Sequence, residues 1–306
     1  MRNAFAQAVT ELGDVYPDLV LLAGDIGNRL FDKFKDKHPA RFYNCGVAEA
    51  NMTGVASGLA ASGLRPITYT ITPFNTVRCL EQIRLDICYP DLPVIVVGTG
   101  AGLSYAGLGA THHSMEDIAI LRTLPNMHVV CPADPVEVRL AVKDALRLAR
   151  PTYIRLGKKG EPVIHPVDPD FRIGRAITVR EGTDVAILSV GNMLASALAC
   201  ADQLARRGTS AKVLSLHTVK PLDDAMLTRL FAEQQLVLVL EEHGLAGGAG
   251  SAVLEWGNAK HVDLRKLICI GTPDRFLSGC GEQEEARLML GLAPESICKQ
   301  VIDRLN

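Results

Sequence analysis

The chain has 306 residues, of which 48% are hydrophobic and 22% charged, which is typical of a soluble globular protein with room for two domains. Its formal net charge of −2 gives no sign of a nucleic-acid or membrane partner. There is no apolar run of about 18 residues and no signal peptide. The eight cysteines are scattered without a CxxC spacing, so we expect free thiols in a cytoplasmic protein.

The first half of the sequence alternates amphipathic segments with short apolar runs. This alternation predicts a mostly parallel, doubly wound α/β sheet, in which ligands bind at the carboxyl ends of the strands. Helices are predicted at 2–12, 49–63, 76–88, 115–124 and 135–149, and strands at 19–25, 42–46, 66–72, 92–100, 126–134 and 151–157.

A change in composition separates the two halves of the chain. The segment GKKGEPVIHPVDPDF (157–171) contains three prolines and mixed charges, which is typical of a linker. We expect one domain at 1–160, a linker at 161–172 and a smaller α/β domain at 173–306. In the second domain, strands are predicted at 184–191 and 236–244, an extended segment at 211–223, and helices at 194–208 and 247–257.

Glu49 is the single ionisable residue in the segment GVAEANMTGVASGLAASG (46–63), which is rich in Gly, Ala, Val and Met. Ionising a carboxyl group in apolar surroundings is costly, so Glu49 is a candidate proton donor or acceptor. The alternative is a surface acid on a helix rich in alanine and glycine.

Two adjacent histidines lie in GLGATHH (107–113), a glycine-rich loop that follows a predicted buried strand. Neighbouring histidines rarely bind one ion together, so a metal site is not predicted here. We expect His112 to face the substrate as a hydrogen-bonding or proton-transferring group. The alternative is that His113, or both histidines, cap the following helix.

Phe74 lies between a predicted strand and a predicted helix. Its spacing favours a place in the core, although an aromatic ring at the end of a strand can also stack on a flat heterocycle. The glycines of EEHGLAGGAG (241–250) lack the residues of a phosphate-binding motif, so close packing of a helix on a strand is their expected role.

Four segments resemble transketolase-like enzymes, in the same order and with fitting spacing along nearly the whole chain. They are GVAEANM (46–52), ATHHSMEDIAILRTLPNMHVVCPAD (110–134), VKPLD (219–223) and EEHGLAGGAGS (241–251). The resemblance implies a pyrimidine-binding domain followed by a transketolase carboxy-terminal domain, with thiamine diphosphate as the cofactor.

The family holds Mg²⁺ and the diphosphate group with a GDG…N motif, and this sequence has no GDG. The resemblance therefore implies the carboxy-terminal subunit of a split transketolase, with Mg²⁺ bound mainly by an amino-terminal, diphosphate-binding partner subunit. Because the family's cofactor lies between chains, the small-residue helix 49–63 is a candidate surface for pairing two copies. We expect an α2β2 heterotetramer.

The resemblance also implies roles for three residues. Glu49 matches the acid that hydrogen-bonds the aminopyrimidine ring and thereby assists removal of the thiazolium proton. Phe74 matches the aromatic residue that stacks on that ring. His112 matches the histidine that contacts the hydroxyl groups of the donor sugar.

Other positions match less closely. Asp25 matches an acid near the cofactor, and Arg2 and Lys158 fall where the family places two arginines that contact the substrate phosphate. Leu108 stands where sugar-phosphate transketolases have an aspartate that reads the donor's stereochemistry, and GTGAGL (98–103) lacks their early histidine. The substrate is therefore expected to be a sugar or sugar phosphate that differs from the usual pentose phosphate.

Two other functions remain open. The chain is alternatively an acyl-forming thiamine enzyme subunit, such as a 2-oxo-acid dehydrogenase β subunit or a protein like deoxyxylulose-phosphate synthase. It is otherwise a non-catalytic partner that keeps the fold for assembly. The histidine loop favours a transketolase, and the intact Glu49, Phe74 and His112 disfavour a non-catalytic role.

Overall fold

The computed structural model describes residues 1–27, 29–158 and 160–305. The first half alternates strands and helices as predicted. Its strands are β1 (Leu19–Ala23), β2 (Phe42–Asn44), β3 (Arg65–Ile71), β4 (Ile95–Thr99), β5 (His128–Val130) and β6 (Thr152–Leu156). Its helices are α1 (Arg2–Val15), α2 (Asp32–Lys37), α3 (Glu49–Ala61), α4 (Thr72–Asn75), α5 (Leu80–Gln82), α6 (Asp117–Arg122) and α7 (Pro135–Leu148).

The second half contains the remaining elements. Its strands are β7 (Ile177–Arg180), β8 (Val185–Ser189), β9 (Ala211–Ser215), β10 (Thr218–Lys220), β11 (Leu236–Gly244) and β12 (Leu267–Thr272). Its helices are α8 (Leu194–Ala205), α9 (Asp224–Glu233), α10 (Ala249–Lys260), α11 (Gln283–Met289) and α12 (Pro294–Leu305). Within the described residues, no helix is both long and apolar enough to span a membrane.

Among the described residues the strands form two sheets, of seven and five strands. The orders are β10-β5-β6-β4-β3-β1-β2 and β12-β11-β8-β9-β7, and all pairs are parallel except β10 with β5 and β7 with β9. Strands such as β1 and β4 are buried along their whole length because helices cover both faces of the sheet. The predicted fold class, a mostly parallel α/β sheet followed by a smaller α/β unit, is confirmed.

The helix predicted at 76–88 is wrong as a single α-helix. The chain instead forms a 3₁₀ turn at Val77–Cys79, the short helix α5 and a π-helical stretch at Ile83–Cys88. Side-chain hydrogen bonds anchor the start of this segment, since Asn75 donates to the carbonyl of Val97 at 2.9 Å. The irregular backbone gives the side chains after α4 directions that a regular helix would not.

The extended segment predicted at 211–223 divides into two strands that belong to different sheets. β9 lies in the second sheet, whereas β10 pairs with β5, placing Thr218 opposite Val130. One hydrophobic cluster accordingly contains residues of both halves, including Leu121 and Leu227. The two sheets are thus packed as one body.

The predicted linker at 161–172 is packed on the first half. His165 and Phe171 are buried, and the carboxylate of Asp134 accepts hydrogen bonds from the backbone N–H groups of Ile164 and His165 at 2.8 and 3.0 Å. The boundaries 1–160, 161–172 and 173–306 stay a prediction.

Candidate active site

Glu49 is the first residue of α3, which begins just after β2 ends at the carboxyl edge of the first sheet. Its side chain is 5% exposed, so the predicted burial is correct. Its surroundings are not purely apolar, because Nη1 of Arg78 donates to Oε2 of Glu49 at 2.8 Å. The amino end of a helix also favours a negative charge.

Phe74 lies in α4, the single helical turn that follows β3. Its ring is half-buried rather than part of the core, so the placement favoured by spacing is wrong. The guanidinium carbon of Arg78 lies 4.5 Å from the centre of the ring, which is a cation–π contact. Thr72 fixes the turn by donating to the carbonyl of Thr99 at 3.1 Å.

His112 ends the glycine-rich loop, on the other side of Phe74. The two ring centres are 5.3 Å apart in an edge-on arrangement, and Thr111 Oγ1 lies 2.9 Å from Nδ1 of His112. Burial and the neighbouring His113 lower the pKa of His112 below its usual value. The imidazole is therefore neutral near pH 7 and has one donor and one acceptor nitrogen.

His113 has a different role. It is buried, and its Nε2 lies 3.0 Å from the carbonyl oxygen of Ala106 within the same loop. The following helix α6 has Glu116 as its N-cap, so the alternative that the histidines cap it is wrong. Among the residues that the structure describes, no group of three or more His, Cys, Asp or Glu side chains is placed to hold a metal ion.

Lys158 follows β6, and its Nζ lies 4.8 Å from the ring centre of Tyr105. The Tyr105 ring is also 5.9 Å from the His112 ring. A Cβ atom on Gly100 would lie 2.2 Å from Tyr105, and Gly100 has a φ of 89°. Only glycine suits that position, which lets the tyrosine ring lie on the backbone after β4.

Arg2 is the first residue of α1, at the same corner of the sheet. The backbone N–H of Gly157 donates to the sulfur of Met1 at 3.2 Å, which brings the chain before Arg2 against the chain before Lys158. No described residue offers a hydrogen-bond acceptor to the buried Nε of Arg2. The Nε of Arg2 is therefore an unused hydrogen-bond donor.

Asp25 lies just after β1 and is exposed. Asn44 Nδ2 donates to Asp25 Oδ1 at 3.2 Å, and the backbone N–H of Gly46 donates to Asn44 Oδ1 at 2.9 Å. Asp25 is thus connected to the loop that leads into α3 and Glu49.

Consecutive contacts join six side chains into one continuous line at the carboxyl edge of the first sheet. We call this line the site row; it consists of Glu49, Arg78, Phe74, His112, Tyr105 and Lys158. It has a carboxylate at one end, a cation at the other, and a flat aromatic surface with a neutral imidazole between them. Such a row can accept a proton, stack on a planar ring and bind hydroxyl or phosphate oxygens.

Sequence reasoning missed two members of the row. Arg78 lies four residues after Phe74, but the helix α4 ends between them and an irregular backbone brings the two side chains together, so helical spacing did not signal this contact. Tyr105 lies in the same glycine-rich loop as His112, but its contact with Lys158 depends on the order of the strands.

The glycines after β11 serve close packing, as predicted. A Cβ on Gly248 would lie 2.4 Å from the Glu241 carboxylate, which accepts hydrogen bonds from the backbone N–H groups of Ala249 and Gly250 at 2.7 and 2.8 Å. Glu241 thereby takes the place that an anion would occupy at the start of α10. Burial raises its pKa to about 7, although these hydrogen bonds act in the opposite direction.

The second domain also fixes the loop that carries His112. The carboxylate of Glu242 accepts hydrogen bonds from the backbone N–H of Leu103 at 2.7 Å and from Gln283 at 2.8 Å, and it pairs with Arg287. Arg155, at the end of β6, donates to the carbonyl of Glu242 at 3.0 Å. Contacts from the second domain therefore help to hold this loop in position.

Comparisons with known proteins agree with this organisation. Residues 1–161 match the family model of the transketolase pyrimidine binding domain, and residues 174–297 match that of the transketolase C-terminal domain. The chain is 36% identical over 311 residues to a 6-deoxy-6-sulfo-D-fructose transketolase subunit from Clostridium sp. strain MSTE9, with 100% of this chain and 95% of that protein covered.

Two further proteins are similar over nearly the whole chain. A 1-deoxy-D-xylulose-5-phosphate synthase from Magnetococcus marinus is 36% identical over 297 residues, which cover 95% of this chain and 47% of that protein. A solved structure described as a split gene transketolase, inactive beta4 tetramer, is 35% identical with a TM-score of 0.89, and the match covers 99% of this chain and 97% of that one.

Proposed function

This chain belongs to the transketolase family as a subunit of a split, thiamine-diphosphate-dependent enzyme, and we propose that its site row transfers a two-carbon ketol unit from a ketose to an aldose. The observation that carries the proposal is the order of the row. Glu49 and Phe74 lie together at one end, and His112 and Lys158 follow towards the other.

The residues at the Glu49 end fit the aminopyrimidine ring. The planar guanidinium of Arg78 hydrogen-bonds Glu49 and contacts the face of Phe74, so this space accepts a flat group that donates to a carboxylate. When bound, thiamine diphosphate supplies the nucleophilic carbon that carries the ketol unit. Glu49 holds a proton at the ring nitrogen, and Phe74 orients the ring by stacking.

The remaining roles concern the sugar. His112, being neutral, donates to or accepts from the donor hydroxyl groups beside the reacting carbon. Lys158 and Arg2 bind the anionic end of a phosphorylated substrate, supported by the unused Nε donor of Arg2. Asp25 is proposed to lie near the cofactor, next to the loop before Glu49.

Leu108 bears on the choice of donor. Its side chain is exposed. Sugar-phosphate transketolases, which this chain resembles, have an aspartate at this position. A leucine cannot accept a hydrogen bond from a sugar hydroxyl. We therefore propose a donor other than the usual pentose phosphate.

The diphosphate end of the cofactor and Mg²⁺ are assigned to a partner subunit. The residues that the structure describes include no cluster of acidic, histidine or cysteine side chains that suits a metal ion. We propose that two copies of this chain pair through the region of α3 and bind two amino-terminal subunits as an α2β2 heterotetramer in the cytoplasm. The similar solved structure, a β4 tetramer, supports self-association of such a chain.

A protein like 1-deoxy-D-xylulose-5-phosphate synthase is the second candidate. The similarity to the enzyme from Magnetococcus marinus, at 36% identity, favours it, and Leu108 is compatible with it. The two functions differ in the donor, since a synthase of this kind consumes a 2-oxo acid and releases CO₂.

The test is to purify the chain with the polypeptide that associates with it and to compare the complex with the chain alone. We expect thiamine diphosphate and Mg²⁺ to bind tightly to the complex and weakly to the chain, and ketol transfer to require both subunits. Release of CO₂ from pyruvate would favour the second candidate. Tight, Mg²⁺-dependent binding to the chain alone, or a complex that contains one copy of each chain, would contradict the shared-site proposal.

A further inference from the structure

Arg78 makes the two contacts that the proposed function assigns to the aminopyrimidine ring. Its guanidinium donates to Oε2 of Glu49 at 2.8 Å and lies 4.5 Å from the centre of the Phe74 ring. A guanidinium is planar and delocalised, donates hydrogen bonds to carboxylates and stacks on aromatic faces. In these respects it resembles a flat heterocycle with a hydrogen-bond donor at its edge.

A guanidinium and an aromatic ring cannot occupy the same face of the Phe74 ring at once. We propose that Arg78 is an internal occupant of the pyrimidine site, which covers Glu49 and Phe74 in the free chain and must turn outwards before the cofactor's ring enters. This inference rests on the proposed function, because it takes Glu49 and Phe74 to be the residues that bind the ring.

The surroundings of Arg78 allow this movement. Its side chain is 47% exposed, whereas that of Glu49 is 5% exposed, so the arginine is the partner that can leave. A cleft of about 750 Å³ opens beside it, lined in part by Glu81, Arg84 and Gly247. Glu81, whose side chain is exposed, offers the released guanidinium a carboxylate in this cleft.

Arg78 stabilises Glu49 while the pyrimidine site is empty. A buried carboxylate without a partner is strongly unfavourable, and Glu49 would be in that state whenever the site held no cofactor. Arg78 satisfies Glu49 until the ring replaces it. The affinity of the site for the ring is then reduced by the strength of the contacts that Arg78 gives up.

The experiment measures binding of the cofactor's isolated ring, 4-amino-5-hydroxymethyl-2-methylpyrimidine, to the full-length chain by ligand-observed NMR. Arg78→Met removes the charge and the planar group while keeping a long side chain. We expect it to bind the fragment about tenfold more tightly than the wild type, since a half-exposed ion pair and a cation–π contact are lost from the competing state. Arg78→Lys keeps the charge without the plane and should give a smaller gain.

The dependence of fragment affinity on salt concentration is a second test, because a purely structural role of Arg78 predicts no such dependence. Raising ionic strength to about 0.5 M screens the half-exposed ion pair, so it should tighten fragment binding to the wild type and leave Arg78→Met unaffected. Arg84→Met is the matched control, because Arg84 lies on the same segment and pairs with Glu81 at 4.0 Å. It should bind the fragment as the wild type does.

The outcomes separate the two proposals. Fragment binding that weakens in Arg78→Met but is lost in Phe74→Ala would mean that Arg78 assists the ring, which overturns the inference and leaves the proposed function standing. Equal affinities in wild type and Arg78→Met would also overturn the inference. If neither protein binds the fragment, the assignment of Glu49 and Phe74 fails, and the inference fails with it.

Discussion

Two buried glutamates, one in each domain, lie at the amino ends of helices and yet differ in what their carboxylates can do. Glu49 begins α3, and its hydrogen bond comes from a half-exposed arginine side chain. Glu241 is held at the start of α10 by two backbone N–H groups of that helix. A side-chain partner can move away, whereas the backbone of a packed helix cannot.

The same contrast extends to the neighbouring residues. At the edge of the first sheet, the site row contains a carboxylate whose one arginine partner is half-exposed, together with an imidazole and a lysine. At the edge of the second sheet, Glu242 is fully used by Leu103, Gln283 and Arg287. One edge of the molecule is thus available for chemistry, and the other holds the domains together.

The largest expected effect is on activity, from Glu49→Gln. Glutamine keeps the size and polarity but cannot exchange a proton with a ring nitrogen, so turnover of the complex should fall by about 10²–10⁴-fold. Steady-state kinetics of the reconstituted enzyme measure this, with circular dichroism as a check on folding. Glu255→Gln, at an exposed ion pair with Arg122, is the control and should keep wild-type rates. Wild-type turnover in Glu49→Gln would remove its catalytic role.

Changes at the edge of the second sheet, where Glu242 lies, should affect stability rather than activity. Arg287→Met leaves the buried carboxylate of Glu242 without its cation, so the free energy of unfolding should fall by about 3–5 kcal/mol. Urea unfolding measures the change. Arg265→Met removes an exposed arginine that pairs within its own turn and should change stability by about 0.5 kcal/mol or less. An equally small loss in Arg287→Met would mean that the Glu242 contacts do not hold the domains together.

Glu241 should give stability a pH dependence. Its pKa in the folded chain is about 7, against 4.5 for an ordinary glutamate, so the folded state binds the proton more tightly. Its favourable contribution is complete below pH 4.5 and is lost as pH rises through 7, on the order of 3 kcal/mol. Glu241→Gln should remove this slope from unfolding curves recorded across that range, and the exposed Glu233→Gln should keep it. A slope that persists in Glu241→Gln would assign it to other groups.

The smallest predicted effect concerns His112. His112→Ala should lower kcat/KM by roughly 10–100-fold through lost hydrogen bonds to the donor, with the cofactor dissociation constant changed by less than about twofold. Kinetics and calorimetric titration on the same preparation separate the two quantities. His261→Ala, at an exposed position, is the control. Weakened cofactor binding with an unchanged kcat/KM would place His112 at the cofactor rather than at the sugar.

The amino-acid sequence by itself determined the local elements. Apolar runs and helical periodicity located β1, β3, β4, β6, α1, α3 and α7, because these patterns depend on neighbours in the chain. The lone acid in a small-residue segment identified Glu49. The roles of Glu49, Phe74 and His112 came from a resemblance in ordered motifs, and periodicity contributed nothing to them.

Only the tertiary structure decided which groups are available. The contact between Arg78 and Glu49 joins residues 29 positions apart, and that between Leu103 and Glu242 joins residues 139 positions apart. Such contacts depend on strand order, including the crossing of β10 into the first sheet. Glu49 therefore receives a movable arginine from a segment 29 positions away, whereas Glu241 is held by the backbone of a helix that begins eight residues after it.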